Sequence, residues 1–190
     1  MKALLINGSP RPVSNTKMMI ERCAKKLEEQ GVATEIVKLG NAKAHGCTGC
    51  MMCLKNKDKE CVIKDDVNEC IKKMVEADAV IVGSPTYFGN VTAEIKAFID
   101  RAGMIGRVNG FCFDKKIGAP LVAVRRGGAV PVADAINRLF QINKMIIPCS
   151  TYWNFAFGLK PEEVANDPEG MENVDDLADS VAWLLKKIKA

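Results

Sequence analysis

Short apolar runs alternate with amphipathic segments along the chain. Residues 3–7 (ALLIN) predict a buried strand that ends in turn residues. Over 15–30, Met19, Ile20, Cys23, Ala24 and Leu27 recur at helical spacing, with Ser14 or Asn15 as cap and Gly31 as stop. A second strand is predicted over 33–39, and a helix over 67–77 that turns Ile71, Met74 and Val75 inward. The run 79–83 (AVIVG) predicts the third strand and 92–103 the helix after it. A fourth strand is predicted over 117–124, with an irregularity at Pro120. A helix over 130–143, a strand over 145–149, an irregular aromatic stretch and a last helix over 171–188 complete the chain. No internal repeat or low-complexity segment interrupts it.

Strands alternating with helices predict a parallel sheet covered on both faces. Five strands joined by right-handed crossovers give an α/β, flavodoxin-like, doubly wound sheet of order 2-1-3-4-5. The expected organisation is a single domain over 1–190, with a cysteine-rich loop over 45–62 inserted after strand 2. Such sheets bind ligands beyond the carboxyl ends of their strands, where strands 1 and 3 diverge. The loops after Asn7 and Gly83 are therefore where chemistry is expected, and the loop after strand 2 is expected to border the same mouth.

Composition narrows the classes. A chain of 190 residues, 48% hydrophobic, is long enough for one well-buried core. Its net charge of +4 is mild and interspersed, without the dense basic face that nucleic acid requires. The apolar run after Met1-Lys2 is too short for a signal segment, and no run of eighteen apolar residues follows. The expectation is a cytoplasmic protein without nucleic-acid or membrane partners. In that reducing compartment, clustered cysteines point to metal or redox chemistry more than to structural disulfides.

The loop after strand 1, GSPRPVSNT, lacks both the GxGxxG and the GxxxxGK[ST] fingerprints. It carries hydroxyls, an arginine and the free amides of a helix start, which are the parts of a terminal-phosphate site and also of a plain capped helix. The loop after strand 3, GSPTYFGN, offers a rigid turn with an aromatic wall, suited to a flat heteroaromatic ring or simply to a packed turn. After strand 4, Arg125-Arg126-Gly127-Gly128 brings positive charge that suits an anionic reduced ring; a solvated turn is the plain alternative. Cys47, Cys50, Cys53 and Cys61 fall within one short stretch. Zinc prefers two separated CxxC knuckles, an overlapping CxxCxxC run with one distant cysteine suits a cubane iron-sulfur cluster, and a thiol loop without metal is the third reading. Gly46 and Gly49 allow tight turns there. His45, the only histidine, reads as exposed, and Cys23, Cys70, Cys112 and Cys149 read as small buried hydrophobes.

Taken together, GSPRPVSNT, GSPTYFGNV and VRRGGAV…STYWNFAFG resemble the flavin-binding loops of flavodoxin-fold NAD(P)H-dependent FMN reductases. With the cysteine stretch, the chain resembles the iron-sulfur flavoproteins of that group nearly end to end. The resemblance implies that Ser9, Arg11, Ser14, Asn15 and Thr16 hold the FMN phosphate. It implies that Pro85, Thr86, Tyr87, Phe88, Gly89 and Asn90, with Arg126 and Gly127, border the ring. It assigns Cys47, Cys50, Cys53 and Cys61 to a [4Fe-4S] cluster. It further implies a homodimer or homotetramer, with Trp153 and Phe155 as residues that face a neighbour or pack in the core. The function implied is an FMN-dependent oxidoreductase coupling two-electron flavin chemistry to one-electron transfer, with ferredoxin or NAD(P)H as donor. A cluster-free NAD(P)H-dependent FMN or quinone reductase and a non-catalytic electron carrier are the alternatives. No side chain is nominated as a catalytic acid or base, because the cofactors carry the chemistry.

Overall fold

A computed structural model describes residues 1–189. Strands β1 (Lys2–Asn7), β3 (Ala79–Pro85) and β4 (Ile117–Val124) are apolar on both faces and almost wholly buried. Strand β2 (Ala33–Lys38) is half-exposed at one edge, and β5 (Phe155–Phe157) closes the other. All pairs are parallel, in the order β2-β1-β3-β4-β5. The fold is flavodoxin-like, as the alternating pattern predicts.

The pleat divides the core. Leu4, Ile6, Val80 and Val82 face a layer made by α3 (Asp66–Glu76), α4 (Ala93–Val108) and α5 (Ala129–Ile142). Their neighbours Ala3, Leu5, Ala79 and Ile81 face α1 (Asn15–Glu29) and α6 (Pro168–Lys189). A strand buried on both faces cannot tolerate polar alternation, which is why these runs read as continuous apolar stretches. A five-residue helix, α2 (Met52–Asn56), lies inside the cysteine loop and has no sequence-level signal.

Two expectations need correction. Pro120 leaves β4 regular, in register with Val82. The strand expected over 145–149 is reduced to one bridge between Ile117 and Ile146, and the fifth strand forms instead at Phe155–Phe157. The two departures share a cause. On the β5 side of β4, the amides of Gly118 and Val122 donate to Ile146 (2.9 Å) and Asn154 (3.0 Å). Pro120 stands between them on the same side and has no amide to give. The chain over 147–154 leaves the sheet at that point and returns to pair with Val122–Val124.

At the carboxyl edge, Asn7 ties the first two loops together. Its carbonyl accepts from Leu39 (2.8 Å) and Gly40 (3.0 Å), and its buried side-chain oxygen accepts from the Ser9 amide (3.0 Å). Gly40 packs so tightly on this loop that an added Cβ would overlap the Ser9 carbonyl and the Pro10 nitrogen. Because the obstacle is backbone, it cannot swing aside. Gly40→Ala should therefore cost about 3 kcal/mol, at the upper end for overpacking, read as a lower urea midpoint at an unchanged slope.

Candidate functional site

The loop after β1 leads directly into α1, and Ser14 caps that helix by accepting from the Lys17 amide (3.1 Å). The first turn carries no acidic residue. Its unshared amides and the positive end of the helix dipole therefore face an open cavity without internal compensation. That cavity has a volume of about 140 Å³ and is walled by Ser9, Ser14, Asn15 and Thr16 on one side and Pro85, Thr86 and Tyr87 on the other. Arg11 and Arg125 stand at its rim, both exposed. The hydroxyls of Thr16 and Thr86 are buried and have no hydrogen-bond partner. Two orphaned hydroxyls in one cavity are polar groups waiting for an acceptor or donor. No carboxylate among the described residues lines the space, so the field there favours an anion.

The loop after β3 is a two-residue hairpin. Tyr87 and Asn90 exchange backbone hydrogen bonds of 2.9 and 3.0 Å around Phe88 (φ 50°) and Gly89 (φ 71°). Positive φ at both positions is the type I′ geometry. Phenylalanine is strained there, and its ring is fully exposed. The Thr86 amide donates to the Ala123 carbonyl (2.9 Å), which holds the hairpin against the end of β4. Gly128, also at positive φ, lets the start of α5 pack on Gly89.

The four cysteines line a second, separate cavity together with Met51, Val62, Ile63, Met104 and Ile105. It shares no residue with the first. Cys47 and Cys50 are exposed, whereas Cys53 and Cys61 are half-buried against the core. The Met52 amide and the Thr48 hydroxyl hold the Cys50 thiol below its ordinary value. Burial pushes the Cys53 thiol up, and the nearby Cys61 and Cys47 sulfurs push it the same way. All eight cysteines of the chain are free thiols. Among the described residues, no group of three or more His, Cys, Asp or Glu side chains forms a site for a single metal ion.

Arg101, in the middle of α4 and only 1% exposed, fixes this loop. Its Nη1 donates to both Asp65 carboxylate oxygens (2.8 and 2.6 Å) and to the His45 carbonyl (3.1 Å), and its Nη2 donates to the Ile63 carbonyl (3.0 Å). Asp65 caps α3 through the Asn68 amide (3.0 Å) and also accepts from the His45 amide (3.0 Å). Asn68, fully buried, accepts from the Cys61 amide at 2.7 Å. Burial alone would raise the Asp65 carboxyl; the Arg101 guanidinium and the two amides outweigh it and hold the group below its ordinary value.

The expected site residues divide accordingly. Ser9, Arg11, Ser14, Asn15, Thr16, Pro85, Thr86 and Tyr87 surround the first cavity, while Phe88, Gly89, Asn90, Arg126 and Gly127 lie outside its enclosed part. Arg125 stands at the cavity where Arg126 is expected. Alternation carries the signal: Ala123 lines the cavity, so the residue two positions on points the same way. Gly158 and Leu159 also line it, and no local pattern indicates them. Cys47, Cys50, Cys53 and Cys61 come together, but not at the mouth where the loop is expected. Arg101 lies about 14 Å along α4 from its cap Thr92, at 1.5 Å per residue, so the thiols sit down the flank of the helix layer. His45 is exposed, with Nδ1 2.8 Å from the Gly46 carbonyl. Cys23 and Cys70 are buried, with thiols pushed up to about 12 by desolvation. Cys112 is half-buried and Cys149 exposed, which corrects the expectation of buried hydrophobes. Phe155 is buried, and Trp153 is 62% exposed beside Tyr152.

The sequence model of a family described as NADPH-dependent FMN reductase matches residues 1–160. An iron-sulfur flavoprotein of Methanocaldococcus jannaschii is 37% identical over 196 residues, covering 100% of both chains. RosB with bound 8-demethyl-8-formylriboflavin-5'-phosphate is similar in structure, with a TM-score of 0.78 at 18% identity over 100% of this chain and 80% of that one. A flavodoxin from the domain Archaea gives a TM-score of 0.62 at 17% identity over 100% of both chains. These two structural likenesses are likenesses of fold. No helix among the described residues is long and apolar enough to cross a membrane.

The depressed carboxyl of Asp65 fixes the sign of a pH effect. Its contribution to stability is present above the unfolded value near 4 and is lost as pH falls through the lower folded value. Between about pH 5 and pH 3 the wild-type chain should lose more stability than Asp65→Asn, measured by urea unfolding at each pH. Asp65→Ala, which strands a buried guanidinium, should cost about 3 kcal/mol near neutral pH.

Proposed function

The chain belongs to the NADPH-dependent FMN reductase family and is a flavin-dependent oxidoreductase; on that premise we propose that it holds FMN at the head of α1 and a [4Fe-4S] cluster between its four clustered cysteines. The observation that carries the flavin part is the pair of orphaned hydroxyls, Thr16 and Thr86, facing one cavity at a helix start. Ser9, Ser14, Asn15 and Thr16 with Arg11 fit a phosphate dianion through hydrogen bonds, helix amides and one guanidinium. A space of about 140 Å³ takes the phosphate end rather than a whole cofactor. The flat ring then belongs past the rim, with Pro85, Thr86 and Tyr87 along it and the Phe88 hairpin beside it. Arg125 supplies positive charge near the ring, which favours an anionic reduced form.

The donor set supports the second group. Four thiols in one cavity, with otherwise mostly apolar walls and no carboxylate or imidazole among them, suit iron-sulfur ligation. A cluster spreads its ligands over the corners of a body larger than one ion, so a common single-ion point is not required. When bound, FMN accepts electrons in pairs and a [4Fe-4S] cluster carries them singly, which makes the assembly a converter between the two. The chain's own part is to hold the phosphate, to wall off one edge of the ring and to keep the thiols apart from it. NAD(P)H or a ferredoxin is the proposed donor. The exposed Phe88, Tyr152 and Trp153 support assembly into a homodimer or homotetramer.

The test is anaerobic purification with flavin, iron and sulfide analysis and a visible spectrum before and after dithionite. Stoichiometric FMN with four irons is expected. Flavin without iron removes the cluster and leaves a cluster-free reductase, and absence of FMN removes the whole reading. Because the two cavities share no residue, Cys50→Ser should lose the cluster while FMN remains bound. Thr16→Val should weaken FMN binding roughly tenfold, as expected for one hydrogen bond to a charged group. Failure to oxidise NAD(P)H with any quinone acceptor would remove NAD(P)H as the donor and leave a ferredoxin.

A further inference from the structure

Arg101 has five N–H donors, and both of its terminal nitrogens are hydrogen-bonded, Nη1 to Asp65 and His45 and Nη2 to Ile63. Its Nε–H is buried and has no partner. An unpaired donor on a guanidinium that is 1% exposed is costly, and buried donors in folded proteins find acceptors. Arg101 lines the four-thiol cavity. Among the other side chains that line it, Thr48 alone carries an oxygen; the remaining acceptors are sulfurs, of the four cysteines and of Met51 and Met104. The protein itself supplies no partner for the Nε–H, and sulfur is the acceptor type that this lining mostly offers. The Asn68 side chain shows the same pattern nearby: its oxygen accepts from the Cys61 amide, and its buried nitrogen has no partner.

We propose that Arg101 is a positioning and tuning residue of the cluster site: its terminal nitrogens lock both ends of the cysteine loop, and its Nε–H is kept for a sulfur that occupies the cavity with the cluster. This inference rests on the cluster reading above. A hydrogen bond and a permanent positive charge at a thiolate-ligated cluster favour the form with one more electron, and so raise its reduction potential. Arg101→Lys keeps the charge and a partner for Asp65 but removes the Nε–H.

The experiment measures iron content and the cluster potential of anaerobically purified wild type and Arg101→Lys. It is accompanied by pulsed EPR of the reduced wild-type protein labelled with ¹⁵N-arginine. In the variant, the balance between oxidised and reduced cluster should move about tenfold towards oxidised, about 59 mV more negative for a one-electron couple. A nitrogen coupling to the cluster is expected in the labelled wild type. A merely structural Arg101 predicts reduced iron occupancy with the potential unmoved and no coupling, and that result overturns the inference. If Arg101→Lys does not fold, the wild-type coupling decides alone: its presence supports the inference and its absence overturns it. A wild type without iron removes the cluster reading itself, whereas iron with an unmoved potential and no coupling removes only the role of Arg101.

Discussion

The ion pair between Arg101 and Asp65 is the constraint on which the cysteine region depends. One guanidinium joins the interior of α4 to the cap of α3 and to the chain just before and just after the cysteines. Between His45 and Ile63 the only regular element is the five-residue α2. A stretch that long would otherwise have little to hold it. Further anchors act just before it and within it, where the Lys43 amide reaches Asp66 (2.8 Å) and the Lys59 amide reaches Asn109 (3.1 Å). Buried ion pairs are a poor source of stability, since apolar replacements often do as well. What this one does is tie three separate pieces of chain to one point: His45, Ile63 and the cap of α3.

Helix α4 links this region to the cavity at the sheet edge. Its cap residue Thr92 donates to the Gly8 carbonyl (3.1 Å), in the loop that leads to α1. Arg101, farther down the same rigid rod, grips the cysteine loop. Both cavities are thus tied to one helix, at its cap and at its middle.

What was legible in the sequence follows the range of the interactions. The sheet order came through because buried strands and amphipathic helices carry their signals locally. That Ser9, Arg11, Ser14, Asn15 and Thr16 line one cavity was legible for the same reason, since a helix start, hydroxyls and an arginine sit within a few positions. The cysteine spacing was readable, but the position of the loop was not. Its partner Arg101 is far away in sequence, and a single arginine in an amphipathic helix looks like a surface residue. The choice between Arg125 and Arg126 was open to a strand-alternation argument. Gly158 and Leu159 were not, because their place depends on where the fifth strand re-enters the sheet. That in turn depends on one missing amide at Pro120, an effect felt on the neighbouring strand rather than on its own.

The split fifth strand also bears on how the sheet ends. An open parallel sheet has two edges, each a template for another chain. On one side, β5 offers only three residues, and the outward amide of Phe157 is already taken by Asp167 at 2.7 Å. On the other, β2 carries Glu35 between Lys2 and Lys73, a charged strip beside its backbone. The excursion over 147–154 that displaces the strand thus leaves too short a rail for a foreign strand to dock. A sheet with so apolar an interior is protected at its margins against edge-to-edge aggregation.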